Sequence, residues 1–189
     1  MYWSGWIEIY MEKKIYVIRH CEAEGQPRDA ALTDRGLKQA GALAEFFSNI
    51  KIDHIISSPF KRAIQSVGPI SEGHQLIIEK DERLTERVLS AENLPDWPEK
   101  LKASFDDMDL VYDCGESGND AARRASGVVA DVLGSEHEST ILVTHGNLMA
   151  LLLKHYHGNF GFEQWKNMTN PDIYLLRFEN KGVKAEHLW

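Results

Sequence analysis

Four polar clusters in this chain each follow a short apolar run. Arg19-His20 closes the segment KIYVIRH, and Ser57-Ser58-Pro59-Phe60-Lys61-Arg62 follows His54-Ile55-Ile56. Glu86 lies in Arg83-Leu84-Thr85-Glu86-Arg87, and Thr144-His145-Gly146-Asn147 follows Ile141-Leu142-Val143. Arginine presents a fixed fork of donors and stays charged. Two guanidiniums, two imidazoles and a carboxylic acid therefore make a set suited to gripping an anion and moving protons around it. Taken singly, each residue has a plainer role as a surface or core histidine, a solvated arginine or a loop carboxylate. That plainer role is assigned to His54, His74, His137, His155, His157 and His187. What lifts the clusters above it is their shared position after strands, because ligand sites in open α/β sheets form outside the carboxyl ends of parallel strands.

Other chemistries lack their residues. There is no G-x-G spacing, no G-x-x-x-x-G-K-[ST] loop and no H-E-x-x-H. His155 and His157 lie near His145 without an acidic or cysteine partner to complete a zinc set, so no metal site is expected. A cysteine phosphatase needs arginine six residues after its nucleophile, and Pro27 and Asp120 stand there instead.

The elements that must carry these residues alternate short strands with amphipathic helices. The pattern predicts one domain over 1–189, an α/β three-layer sandwich with a largely parallel central sheet flanked by helices. Strands are expected at 14–19, 54–57, 75–79 and 141–144, with a hairpin of two strands near 172–178 and 182–188. Thr33 is the expected N-cap of a helix over 34–49, whose stripe is Leu37, Ala40, Ala44 and Phe47. Ser58 is expected to cap the next helix, with Pro59 in its first turn. A helix over about 117–133 carries the stripe Ala121, Ala125, Val128 and Val132, and another runs through Leu148, Leu151 and Leu152. Residues 91–115, with Pro95, Pro98, Asp106, Asp107 and Asp109, read as an irregular substrate-side insert.

Taken together, five segments resemble the histidine phosphatase superfamily in its phosphoglycerate mutase-like branch. They are Arg19-His20-Cys21-Glu22-Ala23, Ser57-Ser58-Pro59 with Arg62, Leu84-Thr85-Glu86, Gly115-Glu116-Ser117 with Arg124, and Thr144-His145-Gly146, in matching order over about 14–178. The resemblance implies a metal-independent phosphomonoester hydrolase working through a phosphohistidine, with no cofactor. In it His20 attacks phosphorus, Arg19, Arg62 and His145 hold the phosphoryl oxygens, and Glu86 protonates the leaving oxygen and then activates water. Gln26, where the family commonly has asparagine, and Gly146 complete the expected binding set. Phosphoryl transfer spreads negative charge over the equatorial oxygens, so positioned cations do most of the work. A neighbouring Arg19 disfavours protonation of His20, and a bound phosphate dianion would raise the pKa of Glu86 enough for proton donation. Glu116-Ser117 is read as a helix start and Arg124 as a core brace. Trp97, Phe105 and Tyr112 either roof a substrate pocket or simply pack.

The sequence departs from the family at Cys21, which replaces a glycine and suggests less backbone freedom and an oxidisable thiol. It departs again after Glu86, where Arg87-Val88-Leu89-Ser90-Ala91-Glu92 replaces a glycine-rich stretch. Residues 91–115 carry Lys100 and Lys102 against seven acidic residues, which ranks a phosphoglycerate mutase-type transfer second. An inactive phosphate-binding scaffold ranks third.

At 189 residues the chain has ordinary hydrophobic (43%) and charged (26%) content and a net charge of -8. That charge argues against nucleic-acid binding, and no apolar run approaches the length of a membrane span. A phosphorylated small molecule is the expected partner. Two unpaired cysteines suit a reducing compartment, so a cytoplasmic location is expected. The first ten residues lack a secretion signal. They could add an edge strand through Trp3, Ile7 and Ile9, but the preferred reading places the start of translation at Met11.

Overall fold

In the computed structural model of the chain, residues 12–180 and 182–189 are described. Both readings of the first ten residues therefore lie outside the described part. Six strands form one sheet in the order β3-β2-β4-β1-β5-β6. β1 (Lys13–Arg19), β2 (His54–Ser57), β3 (Ile78–Lys80) and β4 (Ser139–Thr144) run parallel, and β5 (Asp172–Glu179) and β6 (Gly182–His187) add an antiparallel edge. β4 is buried along its whole length, as a central strand covered on both faces must be.

Helices cover both faces. α1 (Asp34–Phe47) and α2 (Lys61–His74) enclose a core with Ile18, Leu43, Phe47, Ile55, Val67 and Val143. α4 (Gly118–Gly134) and α5 (Gly146–His157) enclose the other, with Val17, Ile56, Val128, Leu142, Leu148 and Leu152. α3 (Trp97–Asp106) and α6 (Phe162–Asn167) lie on this second side. The three-layer α/β sandwich is as the sequence predicts.

Several local expectations hold for their stated reasons. Gly36 donates its N–H to the Thr33 hydroxyl at 3.0 Å, capping α1. Ser117 accepts from the Asp120 N–H at 3.0 Å and caps α4, whose buried side includes Ala121, Ala125, Val128 and Val132. Others shift. Leu37 is 52% exposed, and the buried stripe of α1 is Gly36, Ala40, Leu43 and Phe47. The helix turns its small residue towards the loop after β1 instead. β3 is three residues long and starts at Ile78, after Gln75 takes a left-handed conformation to end α2. Phe60 is the N-cap of α2, so Ser58 and Pro59 precede the helix. The insert 91–115 contains a helix, α3, with Pro98 in its first turn. Its neck is tied by the Glu116 N–H to the Val88 carbonyl at 2.8 Å and the Ala91 N–H to the Asp113 carbonyl at 2.9 Å.

Gly36 is the point where α1 meets the loop leaving β1, and a Cβ there would sit 2.0 Å from the Glu22 carbonyl oxygen. Gly36→Ala is accordingly expected to lower stability by about 1–3 kcal/mol, read from the urea midpoint at constant m-value. An unchanged midpoint would show that helix and loop can part without loss.

Candidate active site

Hydrogen bonds from the strand ends build the site. β2, β4 and β1 are adjacent, so residues that follow them emerge side by side. The His20 N–H donates to the Thr144 carbonyl at 3.0 Å and the Ser58 N–H to the Val143 carbonyl at 2.9 Å. These bonds carry the parallel ladder one residue past each strand and fix where His20, Ser58 and His145 leave the sheet. α2 adds a second anchor: the Ser66 hydroxyl accepts from the Cys21 N–H at 2.8 Å and donates to the Arg62 carbonyl at 2.7 Å.

Arg62, 1% exposed, is the centre of the cluster. Its Nε–H donates to His20 Nε2 and an Nη2–H to His145 Nδ1, both at 3.2 Å. Nη1 donates to the Gln26 and Pro27 carbonyls at 3.0 and 2.8 Å. The Phe60 ring lies 4.8 Å from the guanidinium carbon and 4.8 Å from the His145 ring centre. Arginine can only donate, so both imidazole nitrogens facing it carry lone pairs. In the neutral rings the protons sit on the opposite nitrogens. His20 Nδ1–H then donates to the Cys21 carbonyl at 2.6 Å, and His145 Nε2–H to the buried Ser58 hydroxyl at 2.8 Å. The two rings stand edge to face, 5.1 Å apart.

Burial, reinforced by Arg62 and Arg19, pushes the His20 pKa down to about 3 against the opposing pull of the Cys21 carbonyl. Burial, then His20 and the nearby arginines, hold His145 well below the ordinary histidine range. Both rings are therefore neutral at physiological pH.

Arg19 donates through Nη1 to the Met168 and Thr169 carbonyls at 3.0 and 3.2 Å, and its buried Nε–H has no partner among the described residues. Gly146 lies so close to this guanidinium that a Cβ would stand 3.1 Å from its carbon. Glu86 closes the far side. Its carboxylate accepts from the N–H groups of Arg87 (2.9 Å), Asn147 (3.1 Å) and Leu148 (2.9 Å), at the N-terminus of α5, where the helix dipole favours an anion. Its charge supports the positive forms of Arg19 and Arg62, both of which burial opposes.

Thus Arg19, His20, Arg62, Glu86, His145 and Gly146, named from the sequence, converge at one end of the sheet. Gln26 contributes its backbone carbonyl to Arg62, while its side chain is exposed. Arg124 forks onto Glu116 at 2.7 and 2.9 Å and braces the Arg83 carbonyl, the structural role expected of it. Cys21 corrects an expectation. Its thiol is fully buried with its pKa pushed up to about 11, chiefly by burial, which makes it inert rather than oxidisable.

Four contributors escaped the sequence reading. Ser58 is the hydroxyl partner of His145 rather than a helix cap. Asn170 Nδ2 donates to the His20 carbonyl at 2.7 Å and Gln39 Oε1 accepts from the Glu22 N–H at 2.9 Å, both holding the loop after β1. The Asn147 side chain is buried, and neither amide atom has a partner among the described residues. Its place directly after His145-Gly146 was the available signal. Among the described residues no group of three or more His, Cys, Asp or Glu is placed to hold a metal ion, and no helix is long and apolar enough to cross a membrane.

A neutral imidazole with its lone pair aimed into a cluster of guanidiniums, at the carboxyl edge of a parallel sheet, defines a phosphoryl-handling class of site. The chain belongs to the histidine phosphatase superfamily, branch 1, whose family model matches residues 15–189. It is 29% identical to phosphoserine phosphatase 1 of Hydrogenobacter thermophilus, over 69% of each chain. It is 30% identical to the Proteus mirabilis protein named "Probable phosphoglycerate mutase GpmB", over 88% of this chain and 86% of that one. A mycobacterial glucosyl-3-phosphoglycerate phosphatase solved with inorganic phosphate shares the fold, with a TM-score of 0.77 at 24% identity over 94% of this chain and 96% of that one.

The depressed histidine pKa has a consequence for stability. Between pH 6.5, where an unfolded histidine titrates, and pH 3, the unfolded chain binds more protons at His20 than the folded one does. Stability contributed by keeping the ring neutral is present above that window and is lost as pH falls through it. From pH 7 to 5 the wild type is expected to lose about 1–2 kcal/mol more than His20→Asn, by urea unfolding. Parallel losses in the two proteins would contradict the depressed pKa.

Proposed function

We propose that the chain hydrolyses a phosphomonoester of a small molecule without a metal ion, with His20 as the nucleophile. The observation that carries this reading is the guanidinium of Arg62 bridging Nε2 of His20 and Nδ1 of His145. It leaves one cation beside two neutral rings, with no carboxylate bonded to it, where a phosphoryl group would enter. The His20 Nε2 lone pair attacks phosphorus as the ester P–O bond breaks, and Glu86, which takes up a proton when the phosphate dianion binds, gives that proton to the leaving oxygen. Water then attacks phosphorus as the N–P bond breaks, Glu86 takes the proton, and phosphate departs. Arg19, Arg62, the Gly146 backbone and the Asn147 amide hold the oxygens, with Gln26 at the rim. A dianion entering between Arg62 and His145 favours a proton on His145 Nδ1, turning that acceptor into a donor.

Residues 91–115 form the substrate-side wall in this reading. Two free cysteines, one buried and one exposed, support a reducing, cytoplasmic setting. A mutase ranks second. Lys100 and Lys102 lie 3.5 and 3.3 Å from Asp96 and Asp106, which leaves the insert poorly equipped to hold a second phosphate.

His20→Ala is expected to lower phosphatase turnover on the order of 10⁴-fold or more, with excess EDTA leaving the wild-type rate unchanged. Retention of turnover in that variant would remove His20 as nucleophile. With 3-phosphoglycerate and its bisphosphate primer, free phosphate should accumulate rather than the isomer. Glu86→Gln should lower kcat/KM for alkyl phosphates about 10²–10⁴-fold but spare kcat/KM for p-nitrophenyl phosphate, whose leaving group needs no proton, while kcat falls for both because the phosphohistidine loses the base that activates water. Equal losses of kcat/KM on both would move the acid elsewhere.

A further inference from the structure

Beside the cluster lies a cavity of about 540 Å³, within the range of small-molecule sites. It shares two residues with the chemistry, Arg19 and Asn170, and Asn170 holds the His20 carbonyl. The cavity thus adjoins the loop that carries His20, and it is much roomier than a phosphoryl group needs. Its walls come from two helices distant in sequence. α3 supplies Trp97 and Lys102, and α6 supplies Phe162, Trp165 and Lys166.

The aromatic rings brace one another. Trp97 and Trp165 meet edge to face, 6.2 Å apart at 87°, and Phe162 lies 5.4 Å from Trp165 at 32°. Two indoles at right angles form a corner, so a flat ring laid against one presents its edge to the other. Trp97 is half exposed, which is unusual for so large an apolar side chain and leaves its surface open to a ligand. The charge of the lining is also one-sided. Lys102, Lys166 and Arg19 face a single carboxylate, Glu99, in a chain whose net charge is -8. Lys102 has Asp106 at 3.3 Å, whereas Lys166 has no ion-pair partner among the described residues.

We propose that this cavity selects phosphomonoesters whose leaving alcohol carries a flat ring, seated in the Trp97–Trp165 corner, and a further anionic group, met by Lys166. The inference rests on the phosphatase reading for its placement beside His20 and adds the substrate class. Bare three-carbon phosphates would leave the aromatic corner empty and its surface wet. A ring covers it, with the gain expected of base-on-aromatic stacking. A carboxylate at the outer end gains the smaller benefit of an exposed ion pair.

The test uses four substrates that all leave as alkyl alcohols: butyl phosphate, 3-phosphoglycerate, benzyl phosphate and 4-carboxybenzyl phosphate. The ring is expected to raise kcat/KM about tenfold, and the carboxylate on it about threefold more. Trp97→Ala should lower the benzyl-to-butyl ratio towards one, and Lys166→Met the carboxybenzyl-to-benzyl ratio. Binding of the matching phosphonates, followed by calorimetry, should show the same preferences without any turnover. Equal kcat/KM for all four substrates in an enzyme that His20→Ala inactivates would overturn the pocket inference and leave the phosphatase reading standing. Preferential phosphonate binding with no hydrolysis of any ester would do the reverse. Uniform phosphonate binding, unaffected by either substitution, would also overturn the pocket inference.

Discussion

A buried guanidinium with no carboxylate bonded to it is the condition on which this structure depends. Arg62 spends its donors on two imidazoles and two backbone carbonyls, none of which neutralises it. Taking such a charge out of water is costly unless opposite charge is close. Here relief is partial and indirect. The Phe60 face lies beneath the guanidinium, and Glu86 contributes favourable charge without a direct bond. The site is thus built electropositive before any ligand arrives, and an oxyanion entering it satisfies a need already present.

The same field sets the state of His20. Both histidines are kept neutral first by burial and then by the arginines. A protonated His20 would have no lone pair at Nε2, so the arrangement that favours an anion also keeps that lone pair free, as the proposed attack requires. Its ring direction is set from behind, by Nδ1–H on the Cys21 carbonyl, while Ser66 holds the Cys21 N–H and Asn170 the His20 carbonyl. Glu86 is placed by three backbone N–H groups at the start of α5. The His20 ring and Glu86 are therefore aimed by backbone groups, which shift less than a side-chain partner would.

Legibility in the sequence followed how local each signal was. β1 and β4 were plain because buried parallel strands are continuous apolar runs, and Thr33 and Ser117 were plain because a cap is decided within four residues. The stripe of α1 was misread at Leu37 because the helix is rotated to press Gly36 on the Glu22 carbonyl, a contact between segments that periodicity does not encode. Ser58 looked like a cap by its neighbours yet serves His145, 87 positions away. Asn170 and Gln39 lie in segments with no chemical signature, and only the fold brings them to the loop after β1. α3 and α6 were missed for a related reason: they are short, and Trp97 and Trp165 hold them against each other across the cavity.

That division has a physical basis in how the two halves of the site are anchored. The groups that would handle the phosphoryl moiety extend from strands locked in ladder hydrogen bonds and flanked by close-packed core, where a displacement is resisted from every side. The wall formed by α3 and α6 lies away from that ladder, held by a tied neck, by ring-to-ring contacts and by Leu101 and Phe105 in the core. Substitutions in α3 or α6 can reshape that wall while the ladder holding His20, Ser58 and His145 stays intact. In the proposed function, chemistry and selection can therefore vary separately, because the ladder that anchors one does not pass through the other.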